Sequence, residues 1–321
     1  MESKQEKYDV IIIGGGAAGF SAGIYTSRRL LKTLILSKDI GGQTALTTEI
    51  ENYPGVDFVD GTELMVKFKA QAEKFGCTFA IDEVIGIQKK EEEFYLATAT
   101  GKEYTTRAVI LAFGMSPKNL DVPGEAKFVG RGVSYCATCD APLYKGKKVV
   151  VVGGGNSALD ATEYLSRLAT RVTLVHRRNE FRGDEILEAR IRKAVNVDIV
   201  LEAVVTEVLG DERVRGVRVE DLVTKTQREV PCEGVFVAIG HVAKTRWLGD
   251  LVEYDSISHV RANEVGETKT PGLFAAGDVV SGSFKQIATA SGEGVRAALR
   301  CYQYLTKTTG RPLAPDWDIK H

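Results

Sequence analysis

At 321 residues the chain exceeds what one hydrophobic core usually holds, so two domains are expected. Hydrophobic residues at 44% and charged residues at 26% exclude a disordered or fibrous chain. A formal net charge of −1 gives no reason to expect nucleic acid, which would need a local basic patch.

The opening Met-Glu-Ser-Lys-Gln-Glu-Lys lacks the charged, apolar, small-residue layout of a signal peptide. Apolar runs such as residues 10–13 and 149–152 are too short to cross a bilayer, so a cytoplasmic protein without a membrane partner is expected. A strand-like run at 8–13 leads into Gly14-Gly15-Gly16-Ala17-Ala18-Gly19, then a helix-compatible stretch to about Arg29 and a second strand at 33–36. In Gly14-x-Gly16-x-x-Gly19 the first glycine permits the tight turn and the second lets backbone approach a pyrophosphate. The third lets helix and strand pack closely. The helix N-terminus then offers N–H groups and a positive dipole end to phosphates. An acidic residue is expected after the second strand to hold ribose hydroxyls, but Ser37 and Lys38 stand there, with Asp39 displaced. Residues 109–114 form a closing strand ending at Gly114, and loops follow at Ser116-Pro117 and Val122-Pro123-Gly124.

There are five cysteines, an odd and sparse set that argues against a disulfide scaffold. Only Cys136 and Cys139 are close, in Ser134-Tyr135-Cys136-Ala137-Thr138-Cys139-Asp140. Two intervening residues allow a small redox-active disulfide ring and favour a lowered pKa at one thiol, and Asp140 is placed to handle protons. A zinc half-site would need two more ligands, and the chain has no second such pair and only 4 histidines, so no metal is expected. A pair of inert core cysteines is the other bland reading. Cys77, Cys232 and Cys301 read as buried packing residues.

A second copy of the nucleotide unit begins at 149–152 and continues through Gly153-Gly154-Gly155-Asn156-Ser157-Ala158, a helix to about Leu168 and a strand at 171–175. Beyond it stands His176-Arg177-Arg178-Asn179-Glu180-Phe181-Arg182. Arginine offers a planar fork of donors that matches a 2′-phosphate, so this copy should prefer NADPH to NADH. Residues 235–240 close it, ending at Ile239-Gly240, and a third run at 272–278 has no glycine fingerprint ahead of it. The simplest arrangement returns that run to the first domain. The expected fold is α/β, three-layer: two Rossmann-like dinucleotide-binding domains with parallel central sheets, the second inserted into the first. The limits are 1–117, 118–245 and 246–321, and residues 284–305 carry a helical period.

Two dinucleotide units, one split, with Cys-Ala-Thr-Cys-Asp just before the second, resemble the low-molecular-weight thioredoxin reductases over essentially the whole chain. The most specific pieces are Gly41-Gly42-Gln43, residues 136–140, the His-Arg-Arg-x-x-x-Arg run, Ala276-Gly277-Asp278 and Lys285-Gln286-Ile287. The resemblance implies that the split domain binds FAD and the inserted one binds NADPH and carries the cysteines. Gly277 and Asp278 would contact the ribitol and pyrophosphate side of FAD. Gln286 and Ile287 would sit by the pyrimidine end of the isoalloxazine. Gly42, Gln43, Asn52 and Gly114 would complete that site, as Ile239 and Gly240 would the NADPH site. Cys139 is implied as the flavin-proximal sulfur, Cys136 as the one that attacks a partner disulfide, and Asp140 as acid/base. The family also implies two domain orientations, hinges near Pro117 and His241, a homodimer, and a thioredoxin-like small dithiol protein as partner. Departures are Phe113, where the family usually has threonine, and Ala141-Pro142-Leu143-Tyr144 after the cysteines. A ferredoxin-fed reductase of the same fold and a flavin-dependent redox sensor stay open as alternatives.

Overall fold

In the computed structural model, which describes residues 6–47, 50–282 and 284–309, the chain divides into two compact units. One comprises Met1–Met115 with Ala243–His321, the other Ser116–Val242. The sequence draws these joints at 117/118 and 245/246.

The first unit is centred on β1 (Glu6–Ile13), in which Val10, Ile11 and Ile12 are fully buried. A strand apolar on both faces needs cover on both, which marks the middle of a parallel sheet. Its parallel neighbours are β2 (Thr33–Ser37) and β6 (Glu103–Leu111). Outside them lie β3 (Thr78–Ile81) on one side and the antiparallel strands β5 (Glu93–Thr98) and β4 (Val84–Lys90) on the other. The third apolar run of the sequence is β17 (Leu273–Ala275), paired in parallel with β6 from Leu273 against Val109 to Ala275 against Leu111.

Helix α1 (Ala17–Arg28) is buried along most of its length, since it packs both on the sheet and on α7 (Ile287–Thr309). Its small residues make this possible. A Cβ at Gly19 would overlap the Gly14 carbonyl, and one at Gly294 of α7 would overlap the Ala18 carbonyl. Helix α2 (Gly61–Lys74) is capped by Asp60, whose carboxylate accepts the Thr62 and Glu63 N–H groups at 2.8 and 3.2 Å.

The second unit repeats the plan around β9 (Lys148–Gly153), between β10 (Arg171–Val175) and β15 (Gly234–Ala238). Edge strands β11 (Val197–Val200) and β8 (Val133–Ser134) complete an all-parallel sheet. Helices α5 (Asn156–Ser166) and α6 (Glu185–Lys193) belong to one side of it, with Leu159, Leu165 and Ile191 in a core shared with Val149 and Val151. An antiparallel meander of β12 (Ala203–Gly210), β13 (Val214–Asp221) and β14 (Gln227–Pro231) covers the other face, where Val205, Val217 and Val219 meet Val150 and Val235. Short elements complete it: β7 (Ser116–Pro117), antiparallel to β16 (His241–Val242), and the one-turn helices α3 (Glu125–Phe128) and α4 (Ala137–Asp140).

Both sheets reverse strand order where a glycine turn leaves the central strand, β2-β1-β6 and β10-β9-β15. Such switch points open a crevice at the carboxyl ends of the strands. Among the described residues no helix is long and apolar enough to cross a membrane.

Replacing Gly294 by alanine should force α7 off α1, lowering stability by about 1–3 kcal/mol. Urea unfolding of both proteins measures it, and an unchanged midpoint would contradict this account of the packing.

Candidate active site

In the first unit the turn after β1 is shaped by what glycine lacks. Gly14 has φ +115°, and a Cβ on it would strike the Ala112 carbonyl at the end of the neighbouring strand. Gly16 then stands as N-cap of α1 with no side-chain acceptor, and the first turn, starting at Ala17, holds no acidic residue. No side chain of the α1 N-terminus itself therefore opposes the positive end of the helix dipole.

Other sequence-singled residues gather around this turn. The Gly41 N–H donates to the Gly15 carbonyl at 2.6 Å, which brings Gly42 and Gln43 alongside. Gly277, at φ +78°, has Ala18 where its Cβ would be, and its N–H donates to Glu293 of α7 at 2.8 Å. Asp278 follows in the short turn Gly277–Val279. Asn52 Nδ2 donates to Gln286 Oε1 at 3.4 Å, joining the residue before Ile287 and the start of α7 to the 50–60 loop. Gly42 and Gly114, both at positive φ, have open space where a side chain would be. Phe113 lies against Trp247 with ring centroids 5.6 Å apart. At the end of β2 Ser37 is buried beneath Gly15, and the Asp39 carboxylate accepts the Gly42 N–H at 3.0 Å. The displaced acid thus shapes the 41–43 loop.

The second unit carries the same turn in its alanine form. A Cβ on Gly153 would collide with the Ala238 carbonyl and crowd the buried Ala158, while Gly155 caps α5 without a side-chain acceptor and faces open space. Asn156 and Ser157 are exposed at the helix start, and Ile239 and Gly240 (φ +99°) continue from β15.

The basic loop is stapled over this turn. Arg182 N–H donates to the Gly154 carbonyl at 2.7 Å, and Asn156 and Asp184 exchange two hydrogen bonds of 3.1 and 2.7 Å. Arg177, Arg178 and Arg182 are exposed. His176 is set apart from them: it is buried, its ring fills the space a Gly154 side chain would need, Nε2 faces the Glu180 carbonyl at 3.1 Å, and Phe181 lies over it. Burial first, and then the charges of Arg178, Arg182 and Arg177, push its pKa below the ordinary value. The imidazole is therefore a neutral support for the loop.

Cys136 and Cys139 form a disulfide with a Cα–Cα distance of 5.4 Å. Cys136 caps α4, its sulfur accepting the Cys139 N–H at 3.1 Å, and its carbonyl accepts the Asp140 N–H at 3.2 Å. The Ser134 hydroxyl donates to the Cys136 carbonyl and accepts the Cys136 N–H, both at 3.1 Å. Cys139 is exposed and Asp140 half-buried. Tyr144 fills the space beside Gly234, and its phenol is raised by burial first and then by the Asp140 charge. Cys77, Cys232 and Cys301 are free and buried; burial pushes Cys77 and Cys232 up to about 12 and raises Cys301 too. Among the described residues no group of His, Cys, Asp and Glu could hold a metal ion.

Three features were not legible in the sequence: Glu293, which bonds to the Gly277 turn, Asp184, which ties the end of the basic loop to Asn156, and the pair Glu125–Tyr135 ahead of Cys136. Their partners are 16, 28 and 10 residues away. Only Asp184, within sight of the basic run, carried any local signal.

A sequence profile described as "Pyridine nucleotide-disulphide oxidoreductase" matches residues 8–294. A thioredoxin reductase of Treponema pallidum is 42% identical over 300 residues, covering 93% of this chain and 97% of that one. One from Bacillus subtilis is 42% identical over 308 residues, covering 94% and 96%. The crystal structure of Lactococcus lactis thioredoxin reductase superposes with a TM-score of 0.83 at 35% identity, covering 94% of this chain and 99% of that one.

After reduction, Cys136 and Cys139 should alkylate in the native protein, while Cys77, Cys232 and Cys301 should require denaturant. Peptide mass mapping reads this directly, and native labelling of any of the three would contradict their burial. For His176, a folded pKa below the unfolded value near 6.5 means that the unfolded chain binds more protons. This residue's contribution to stability is present above that value and is lost as pH falls toward the folded pKa. An NMR titration should place the ring's midpoint below 6.5, and a midpoint at or above it would refute the neutral support.

Proposed function

The chain belongs to the pyridine nucleotide-disulphide oxidoreductase family, and we propose that it is a thioredoxin-disulfide reductase that takes electrons from NADPH and uses FAD. The observation that carries this reading is the Cys136–Cys139 disulfide in a unit that also holds a glycine turn and an arginine loop.

FAD suits the first unit. Support comes from the unopposed N-terminus of α1 beyond Gly14, Gly16, Ala17 and Gly19, and from Gly277–Asp278 beside it. Gly42, Gln43, Asn52, Gly114, Gln286 and Ile287 would line the remainder. NADPH suits the second unit, with its pyrophosphate at Gly153, Gly155, Asn156 and Ser157, and Ile239 and Gly240 nearby. Arg177, Arg178 and Arg182 would meet the 2′-phosphate. His176 would serve by holding that loop. When bound, FAD supplies two-electron relay chemistry between a nicotinamide hydride and a disulfide.

The chain's own residues carry the rest. Two electrons and two protons convert Cys136–Cys139 to a dithiol, with Asp140 handling a proton beside Cys139. The Cys136 thiolate attacks a thioredoxin-like disulfide and expels one partner thiolate, leaving a mixed disulfide. Cys139 thiolate then attacks Cys136 sulfur, releases the second partner thiolate and regenerates the internal bond. The net change is NADPH, a proton and partner disulfide in, NADP⁺ and partner dithiol out. The family resemblance implies a homodimer, and the short apolar runs accord with a cytoplasmic location.

Anaerobic mixing of the FAD-loaded protein with NADPH should bleach the visible flavin band rapidly, and NADH should do so much more weakly. Flavin that dithionite reduces but NADPH does not would overturn the NADPH assignment and favour a ferredoxin-fed enzyme. Arg177→Gln and Arg178→Gln should each raise KM for NADPH by roughly 10–100-fold, from about 1.5–3 kcal/mol per charged hydrogen bond, and leave KM for NADH little changed. Equal effects on both cofactors would contradict the assignment of these arginines to the 2′-phosphate.

A further inference from the structure

Glu125 is a buried carboxylate with no task in the reading above. It is 3% exposed, yet Oε1 accepts the Leu120 N–H at 2.8 Å and the Tyr135 hydroxyl at 2.8 Å, and Oε2 accepts the Asp121 N–H at 2.7 Å. A buried carboxylate is costly unless donors surround it, and charge-assisted bonds of this kind are the strong ones. The loop that carries it is also fixed from outside. Gly124 lies at φ +86°, a Cβ there would strike the Val208 carbonyl, and the Val208 N–H donates to the Pro123 carbonyl at 2.9 Å. Glu125 is thus anchored to strand β12.

What Glu125 grips is the residue before the disulfide. The phenol of Tyr135 is raised by burial first and then by the Glu125 carboxylate, so it stays a donor. One residue earlier, Ser134 bonds to both backbone groups of Cys136. Cys136 is thereby held on its N-terminal side by an anchored support, while Cys139 is placed by the short helix α4 that Cys136 caps.

We propose that Glu125 is a positioning residue for the redox pair, holding Cys136 through Tyr135 at the place where its sulfur closes on that of Cys139. This rests on the reading of that pair as the redox centre. Ring closure of a dithiol is favoured by the effective concentration of one thiol at the other, which pre-organisation sets. Loosening the support lowers that concentration and favours the open dithiol.

The test is the dithiol–disulfide equilibrium of the FAD-loaded full chain in wild type, Glu125→Gln and Tyr135→Phe. Each protein is equilibrated anaerobically with mixtures of reduced and oxidised dithiothreitol, then alkylated, and the peptide bearing Cys136 and Cys139 is quantified by mass. Two electrons and two protons pass from the reagent, whose ring closes as the protein S–S bond opens. Both variants should favour the dithiol three- to tenfold more than wild type, about 14–30 mV at 29.6 mV per tenfold. Flavin bleaching by NADPH should keep its wild-type rate. Should Glu125→Gln fail to fold, Tyr135→Phe decides alone, since it leaves Glu125 its two backbone donors. A wild-type equilibrium constant in Tyr135→Phe, whatever its melting temperature, overturns the proposal. Failure of NADPH to reduce the wild-type pair would instead sink the NADPH-fed reading, because the dithiothreitol equilibrium is measured without NADPH.

Discussion

The Ala112 carbonyl occupies the space that a side chain on Gly14 would need, and the rest of the first unit is arranged around that close approach. It lets β1 turn directly into α1 at the point where β1 and β6 end together. The same economy recurs where Gly19 meets the Gly14 carbonyl and where Gly294 lets α7 lie backbone to backbone against Ala18. Because α7 is pressed onto α1 there, Glu293 reaches the Gly277 N–H and fixes the second turn beside the first. The second unit repeats the constraint at Gly153 and the Ala238 carbonyl, with Ala158 in place of the third glycine.

The carboxylates around these turns face inward. Asp39 accepts the Gly42 N–H, Glu293 the Gly277 N–H and Glu125 two N–H groups of its own loop, while Asp184 is paired with Asn156. Each negative charge is met by a local donor. The helix N-termini at Gly16 and Gly155 and the exposed arginines 177, 178 and 182 are left as the outward-facing electrostatic features, the combination a phosphate-bearing ligand needs.

The α/β class and the parallel sheets were legible because glycine spacing and apolar runs are local properties. A tight turn after a strand has few solutions, and residues 8–19 and 149–158 spell one of them twice. The pairing of Cys136 with Cys139 was legible for the same reason. What escaped is what depends on distant partners. Nothing near Glu125 announces that Tyr135 will return to it, and nothing near Asp39 says that its carboxylate bends to Gly42. His176 belonged to a basic run by composition, yet the absence of a side chain on Gly154, 22 residues earlier, drew its ring into the interior.

The position of β17 has a consequence for biosynthesis. The edge of β6 that it covers is complete at Leu111, but Leu273 to Ala275 leave the ribosome roughly 160 residues later. At about 5–20 residues per second that interval lasts on the order of ten to thirty seconds. Throughout it α1 lacks its cover from α7, and the apolar edge at Val109 to Leu111 has no strand beside it. The inserted unit, uninterrupted from Ser116 to Val242, can finish folding inside that interval. The split unit, although it begins first, is completed last.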